Sequence, residues 1–565
     1  MHTDFDNVGN VDEIFKCPFL LEPSFFKAFE ANIIKSLCLA SPHKPQYGGG
    51  IVVNPELDHG LKGWTAFGDA KIERRASKEG NTFVVAHNRQ HPHDSFSQKF
   101  YLEKRKLYTL SAWLQVSQGS AKIAAVFKTA SCFEHAGWVA AQSGCWSMLK
   151  GGSLNNTLVE IWADSISLQP FTKKQWRSHQ RLSTEKVEAR KSTVRFVAVD
   201  SQGNPVPNAT FSVAQQRSNF PFGCAMSRHI LTNPTYQKWF ASRFTVTTFE
   251  NEMKWPSVEW SEGQEDYSVP DAMLRFAKSH NIAVLGHNVV WADPKFEPSW
   301  VRSLSASQLQ LAVDRRINSL VRRYAGQLIA WDVENENLHF DFFESMLGRN
   351  ATTMLFDKVH ELDRGTTLFL NEFNTIEEIY DADASPTEYL QKIGEIRAGG
   401  YSGPMGIGLE AHFRTPNLPY MRASIDRLAV AGMPVWLTEV DVRPGAKQAQ
   451  YLEAVLREAH AHPHVSGIVM WAAWRPEGCY EMCLTDNNFR NLPTGDVVDK
   501  LISEWTHTNG FCGTTDSLGH FKTRLYHGDY KATVSHPSAS PVDHSFTVGS
   551  EGKARRQTLR IKVSV

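Results

Sequence analysis

QLQLAVDRRINSLVRRYAGQLIAWDVENE (308–336) decides the fold. Through Gly326 its apolar residues recur at helical spacing, and LIAWDVENE (328–336) is then an apolar, strand-like run that closes on Asn335 and Glu336. The same alternation extends outward in both directions. Strand-like runs occur at FGCAM (222–226), FTVTTFE (244–250) and AVLGHNVVW (283–291), then at TLFLNEFN (367–374), MGIGLEAHF (405–413), PVWLTEVDV (434–442) and GIVMWAAW (467–474). Amphipathic segments such as VPDAMLRFAKSHN and PYMRASIDRLAVAG lie between them. Eight strands alternating with helices predict an α/β fold with a parallel sheet. The length from Phe222 to Trp505 is close to the roughly 250 residues of a (β/α)8 TIM barrel. A doubly wound open sheet is the alternative, but no G-x-G-x-x-G follows a strand.

Around this barrel, expected over 222–507, the character of the chain changes. Residues 1–44 read as a leader whose order the sequence leaves open. From 45 to 175, short alternating segments (TFVVAH, LYTLSAWLQV, AKIAAVFK, LVEIWADSISLQP, with VVNPEL and SFSQKFYL) between Gly, Asn and Ser turns predict a β-sandwich. The connector 176–221 combines a charged helical segment, WRSHQRLSTEKVEAR, with STVRFVAVD and ATFSVAQQ, which read as a β-hairpin. Residues 508–565 read as a small β-rich tail.

With 42% apolar and 21% charged residues and zero formal net charge, the composition is that of a globular protein. No basic surplus exists to track a phosphate backbone, which argues against nucleic acid. No apolar run reaches the about 18 residues of a membrane span. Eight cysteines without C-x-x-C spacing make neither a disulfide scaffold nor a zinc site, although Cys479 and Cys483 are spaced for one local bridge or two packed thiols. The acidic start MHTDFDNVGN does not read as a secretory leader. Sequons at Asn155, Asn208 and Asn350 matter only for a secreted protein.

In a barrel of this class the functional groups project from the C-terminal strand ends. The predicted strands end in Glu250-Asn251 with Lys254 beyond, in His287 and Trp291, and in Asn335-Glu336. They continue with Asn371-Glu372 and Asn374, Glu410 and His412, Glu439 and Asp441, and Trp471 and Trp474. Any one of these is as readily a salt-bridge partner as a catalyst; their collection at one end of nearly every strand carries the argument. Two carboxylates flanked by Asn, His and Trp suit glycoside hydrolysis, one as proton donor and the other as nucleophile, with the ~5–5.5 Å spacing of a retaining pair.

WDVENEN (331–337) and WLTEVDV (436–442) resemble the acid/base and nucleophile signatures of glycoside hydrolase family 10, the xylanases. TTFENEMKW, GHNVVW, LFLNEFN and GIGLEAHF extend the resemblance, in order, across the barrel. It implies Glu336 as acid/base, Glu439 as nucleophile, and Asn335 on the 2-hydroxyl of the sugar at the cleavage point. It further implies Glu250, Asn251, Lys254, His287, Trp291 and Trp471 along the glycone subsites, Glu410 among the substrate-binding residues, and His412 touching the nucleophile under orientation by Asp441. No metal or cofactor is implied. The chain is most similar to plant members, whose family 22 carbohydrate-binding module is resembled by GGIVVNPELDHGLKGWTAFG (49–68) and IWADSISLQPF (161–171).

Three departures stand out. Glu334 occupies a usually apolar position, two before the acid/base; alternation would bring it near Glu336, while a loop position would leave it idle. Glu410 stands where microbial relatives usually have Gln. Only SLNNT (153–157) spans the place of a module strand that touches xylan, so residues 45–175 are expected to fold but to bind xylan weakly or not at all, with Trp64, Trp113 and Trp162 serving mainly as core. The expected function is retaining endo-hydrolysis of β-1,4-xylan by a monomer, with the cell wall as location by substrate class. A xylan transglycosylase and a non-catalytic xylan-binding protein are the alternatives.

Overall fold

The computed structural model describes residues 39–103, 105–128, 133–149, 159–186, 190–506, 510–549 and 556–564. Its centre is a closed barrel of eight parallel strands. These are Phe222–Cys224 (β1), Val246–Thr248 (β2), Ala283–Gly286 (β3), Ala330–Asn335 (β4), Thr367–Glu372 (β5), Met405–Leu409 (β6), Val435–Val442 (β7) and Val465–Met470 (β8). Hydrogen-bonded neighbours run β3–β2–β1–β8–β7–β6–β5–β4, and β3 pairs with β4 to close the ring. The doubly wound alternative is thereby excluded.

The intervening barrel helices are Pro234–Ala241 (α1), Ser268–Ser279 (α2), Ala306–Tyr324 (α3), Ala351–Leu362 (α4), Pro386–Ala398 (α5), Leu418–Leu428 (α6), Gln448–Ala461 (α7) and Pro493–Trp505 (α8). Helix α3 shows how the sequence specifies them. Ser305 and Gln308 form a reciprocal capping box, Leu309, Val313, Ile317, Leu320 and Tyr324 turn inward, and Arg322 and Arg323 complement the negative end of the helix. The strand that follows, β4, is buried along its whole length, because the barrel interior covers one face and helices the other. Inside the barrel, Leu285, Phe369, Trp436 and Val469 fill one layer. A Cβ on Gly467 would lie 2.3 Å from the Trp436 ring, so glycine is what admits that ring.

Residues 191–218 do not form the expected hairpin. Lys191–Val199 pairs with His520–Tyr526 and Arg556–Lys562, whereas Thr210–Ser218 pairs with Phe511–Thr514 and Gly528–His536. Val194, Phe196 and Ala198 on one strand and Phe211 and Val213 on the other share one core with Tyr530 and Phe546. Two apolar faces bury more by facing each other across a sandwich than by lying side by side in one sheet. The tail is therefore the second half of a structure that the connector begins. Arg190 anchors this unit to the barrel by donating to the His460 and His462 carbonyls.

Among the described residues, a five-stranded sheet and two two-stranded sheets lie before the connector. VVNPEL is a turn, with Asn54 and Leu57 in left-handed backbone, and Lys71–Ala76 (KIERRA), too charged to be read as a strand, forms the sheet edge. Charge on an edge strand discourages pairing with another chain. Trp64 and Trp113 are buried, and Trp162 stacks on Phe83. The strand gap inferred at 153–157 lies outside the described residues, as does the leader up to residue 38. The helix Lys173–Lys186 locks onto the barrel through Trp176 and Gln180, both of which donate to Glu458 Oε2, while Arg422 holds Oε1.

Candidate active site

Parallel strands put all eight C-terminal ends on one face, and there a cleft of about 760 Å³ opens. The carboxylate-bearing residues sit at one level of the barrel. Glu336 N–H donates to the Asn371 carbonyl, Glu410 N–H to Glu372, and Glu439 N–H to Glu410. At this level Glu336, Asn374, Ala411 and Ala472, which follow four different strands, all take positive φ between +60° and +70°. Such backbone is costly for residues with a Cβ and gathers at functional sites.

Glu439, on β7, is almost buried, and its Oε1 accepts a hydrogen bond from Asn371 Nδ2 at 3.1 Å. His287 Nδ1 lies 3.8 Å from Oε1 and His412 Nε2 3.6 Å from Oε2. Burial works against its charge, yet His287, His412 and the Lys254 ammonium together hold the carboxyl below its usual range. His412 is fixed by Asp441 Oδ1 at 2.9 Å. Although burial opposes its protonation, Asp441, Glu410 and Glu439 raise its pKa well above the ordinary value, which makes it a cation beside Glu439.

Glu336 faces the opposite bias. Burial, and then the charges of Glu372 and Glu439, push its carboxyl up to about 7, with the Trp291 indole acting the other way. Glu372 is itself tied to His339 Nδ1 at 2.7 Å, and His339 Nε2 to Asp381 at 2.9 Å.

Lys254, Asn251 and Glu250 form another wall with Trp291 and Trp471. Lys254 Nζ donates to Asn251 Oδ1 at 3.0 Å and sits 4.6 Å from the Trp291 ring centre. Glu250 is buried and pushed up to about 7, while Arg475, bound to its Oε2, favours the charged form. Among the described residues, Glu250 Oε1 and His287 Nε2 are buried without a hydrogen-bond partner. His287 and Asn335 stand behind the cleft surface, His287 bonded to Asp332 and Asn335 to Asn371.

Asn371, which the sequence reading placed at a strand end without giving it a role, is a hub. Its Nδ2 donates to Asn335, Glu410 and Glu439, and its Oδ1 accepts from Thr438. Arg475, His339 and Asp381 also escaped the sequence reading, because no motif flags a partner that arrives from a loop. Cys479 and Cys483 are bridged at the cleft mouth.

Glu334 neither approaches Glu336 nor lies idle in a loop. The pairing of β4 with β5 slips between Asp332 and Asn335, and Glu336 turns to φ +60°, so alternation no longer relates the two side chains. Glu334 is fully buried toward the helices, its Oε2 accepts from Asn337 Nδ2, and burial pushes it up to about 7. An acid whose pKa is raised on folding adds stability below its unfolded pKa, and that contribution is lost as pH rises through 7. Glu334→Gln is therefore expected to narrow the drop in melting temperature between pH 5 and pH 8, with kcat within about threefold of wild type, since the residue touches no reacting group. Melting curves at both pH values and one rate measurement check this.

Glu410, His412 and Glu439 have ligand atoms within 4.8 Å of one another, a spacing open to a metal ion. His412 Nδ1 is bonded to Asp441 Oδ1 at 2.9 Å, and its Nε2 lies 3.4 Å from Glu410 Oε2 and 3.6 Å from Glu439 Oε2. Among the described residues, no helix is long and apolar enough to cross a membrane.

The family model described as Glycosyl hydrolase family 10 matches residues 212–494. Endo-1,4-beta-xylanase 5 of Arabidopsis thaliana is 38% identical over 494 residues, covering 83% of this chain and 86% of that protein. Endo-1,4-beta-xylanase 4 of the same organism is 36% identical over 480 residues, covering 79% and 84%. Among solved structures, xylanase 10B from Thermotoga petrophila RKU-1 in complex with xylobiose aligns with a TM-score of 0.46 at 22% identity, over 51% of this chain and 94% of that one.

Proposed function

Since the chain belongs to glycosyl hydrolase family 10, of the plant type, we propose that it hydrolyses internal β-1,4-xylosidic bonds of xylan with retention, Glu439 attacking and Glu336 donating the proton. The observation that carries this reading is the opposite bias on two carboxylates in one cleft. His412 and Lys254 favour the ionised form of Glu439, and burial with like charge holds Glu336 protonated up to about pH 7.

In the first step a Glu439 oxygen bonds to the anomeric carbon as the glycosidic C–O bond breaks, and the Glu336 proton passes to the leaving oxygen. Ester formation removes the Glu439 charge, which had raised the Glu336 pKa. Glu336 is then the stronger acid and rests as a carboxylate. In the second step it takes a proton from water, the water oxygen bonds to the anomeric carbon, and Glu439 leaves as carboxylate. Asn371 keeps Glu439 in register and is itself held by the Asn335 side-chain oxygen, to which it donates.

Product analysis on unbranched xylan tests the function: mixed xylooligosaccharides whose new ends are β-anomers by NMR are expected, and α-anomers or no cleavage would refute it. The pH profile tests the roles. kcat/KM is expected to fall as Glu336 loses its proton near pH 7. Glu372→Gln removes a like charge and leaves His339 cationic, so the alkaline limb moves to lower pH. An unmoved limb, or one moved upward, would contradict this assignment.

The finer proposals are action in the cell wall, a monomeric state, and a family 22-type module over 45–175 with reduced xylan affinity. Burial of Trp64 and Trp113 supports the last by leaving fewer rings for sugar stacking.

A further inference from the structure

The loop Glu477–Cys483 lies at the mouth of the cleft, closed on itself by the Cys479–Cys483 disulfide. Tyr480, inside that five-residue ring, is 76% exposed, among the most exposed large apolar side chains in the protein. A loop this short gains little global stability from cross-linking, because the entropy removed from the unfolded chain grows with loop length. The effect of the bridge is therefore local. It holds in place a loop that also carries Glu477 and Glu481 on the cleft wall, with Arg443 3.6 Å from Glu481 and Gln448 donating to the Glu481 carbonyl.

The Tyr480 ring stands edge-on to His412, with centroids 6.2 Å apart, and His412 Nε2 is 3.6 Å from Glu439 Oε2. Tyr480 therefore stands one side chain away from Glu439, with His412 between them, on the wall of the same cleft. A flat aromatic face left in water beside a polar cleft, on a loop held by a covalent staple, suits stacking on the apolar face of a pyranose.

We propose that Tyr480, presented by the Cys479–Cys483 loop, is a substrate-positioning residue that stacks on the xylosyl unit next to the cleavage point. The proposal rests on the xylanase reading above. Stacking is present in the ground state as well as the transition state, so its loss raises KM and leaves kcat alone.

The test compares kcat and KM of the full-length wild type, Tyr480→Phe, Tyr480→Ala and Cys479→Ser/Cys483→Ser on xylohexaose, with melting curves for each. Tyr480→Ala is expected to raise KM about tenfold with kcat nearly unchanged, the loss of one aromatic contact. Tyr480→Phe keeps the ring and is expected to match wild type, and the loop variant to fall between the two. An unchanged KM in Tyr480→Ala, or a loss of kcat accompanied by a lower melting temperature, overturns the proposal. Failure of the wild type to cleave xylohexaose would instead refute the xylanase reading.

Discussion

Glu439→Gln is expected to lower kcat on xylan by roughly five orders of magnitude with the melting temperature nearly unchanged. An amide cannot form the glycosyl ester, and no other carboxylate stands in the same place. Glu410 is the nearest alternative, but burial, then Glu439 and Glu336, raise its pKa well above the carboxylate range, so it is protonated where a nucleophile must be charged. The substitution keeps an acceptor oxygen for Asn371 Nδ2 and preserves the volume, so the fold survives. Three measurements suffice: steady-state rates, a melting curve, and intact mass after treatment with a 2-fluoro xylobioside. Wild type should gain one glycosyl unit and the variant none. Residual turnover above one per cent, or a labelled variant, would move the nucleophile elsewhere.

Glu336→Ala is expected to split by substrate. With xylan, whose leaving sugar hydroxyl needs a proton, turnover should fall about 10³- to 10⁴-fold. With aryl xylobiosides bearing acidic phenols, the first step needs little proton donation and should survive, so the glycosyl ester accumulates because no base activates water. Azide, a small anion needing no deprotonation, should enter the space left by the carboxylate and restore turnover, yielding a β-glycosyl azide. An α-azide would indicate a single displacement and contradict the covalent route. Glu334→Ala should show none of this, because Glu334 faces Asn337 and the helices. If the two variants exchanged behaviour, the proton donor would be misassigned.

The barrel was legible in sequence because its pattern is locally redundant. Every strand repeats the message that an apolar run follows an amphipathic helix, and an error of two residues in one element, as at Ala330–Asn335 against 328–336, does not disturb the count. The strand-end residues were legible for the same reason, since a parallel barrel sends all C-terminal ends to one face. The strands 191–199 and 210–218 failed as a hairpin because their partners lie some three hundred residues away. Adjacent strands joined by a Gly-Asn-Pro turn look alike whether they pair with each other or face each other across a core. Lys71–Ala76 went unread because an edge strand exposes charge where an interior strand would show alternation.

The sequence by itself determined the barrel, the family, and the identity of Glu336 and Glu439 as candidates, because those properties follow from periodicity and short motifs along the chain. Only the tertiary structure decided how the groups act on one another. That Asn371 ties Asn335, Glu410 and Glu439 together depends on strand ends meeting in the barrel, and that Arg475 reaches Glu250 and His339 and Asp381 stand behind Glu372 depends on loops meeting across its mouth. The turn of Glu334 toward the helices depends on a slip in strand register and a left-handed residue at Glu336. Charge interactions fall off with distance and strengthen with burial, so the opposite protonation states of two glutamates follow from where the chain has folded them.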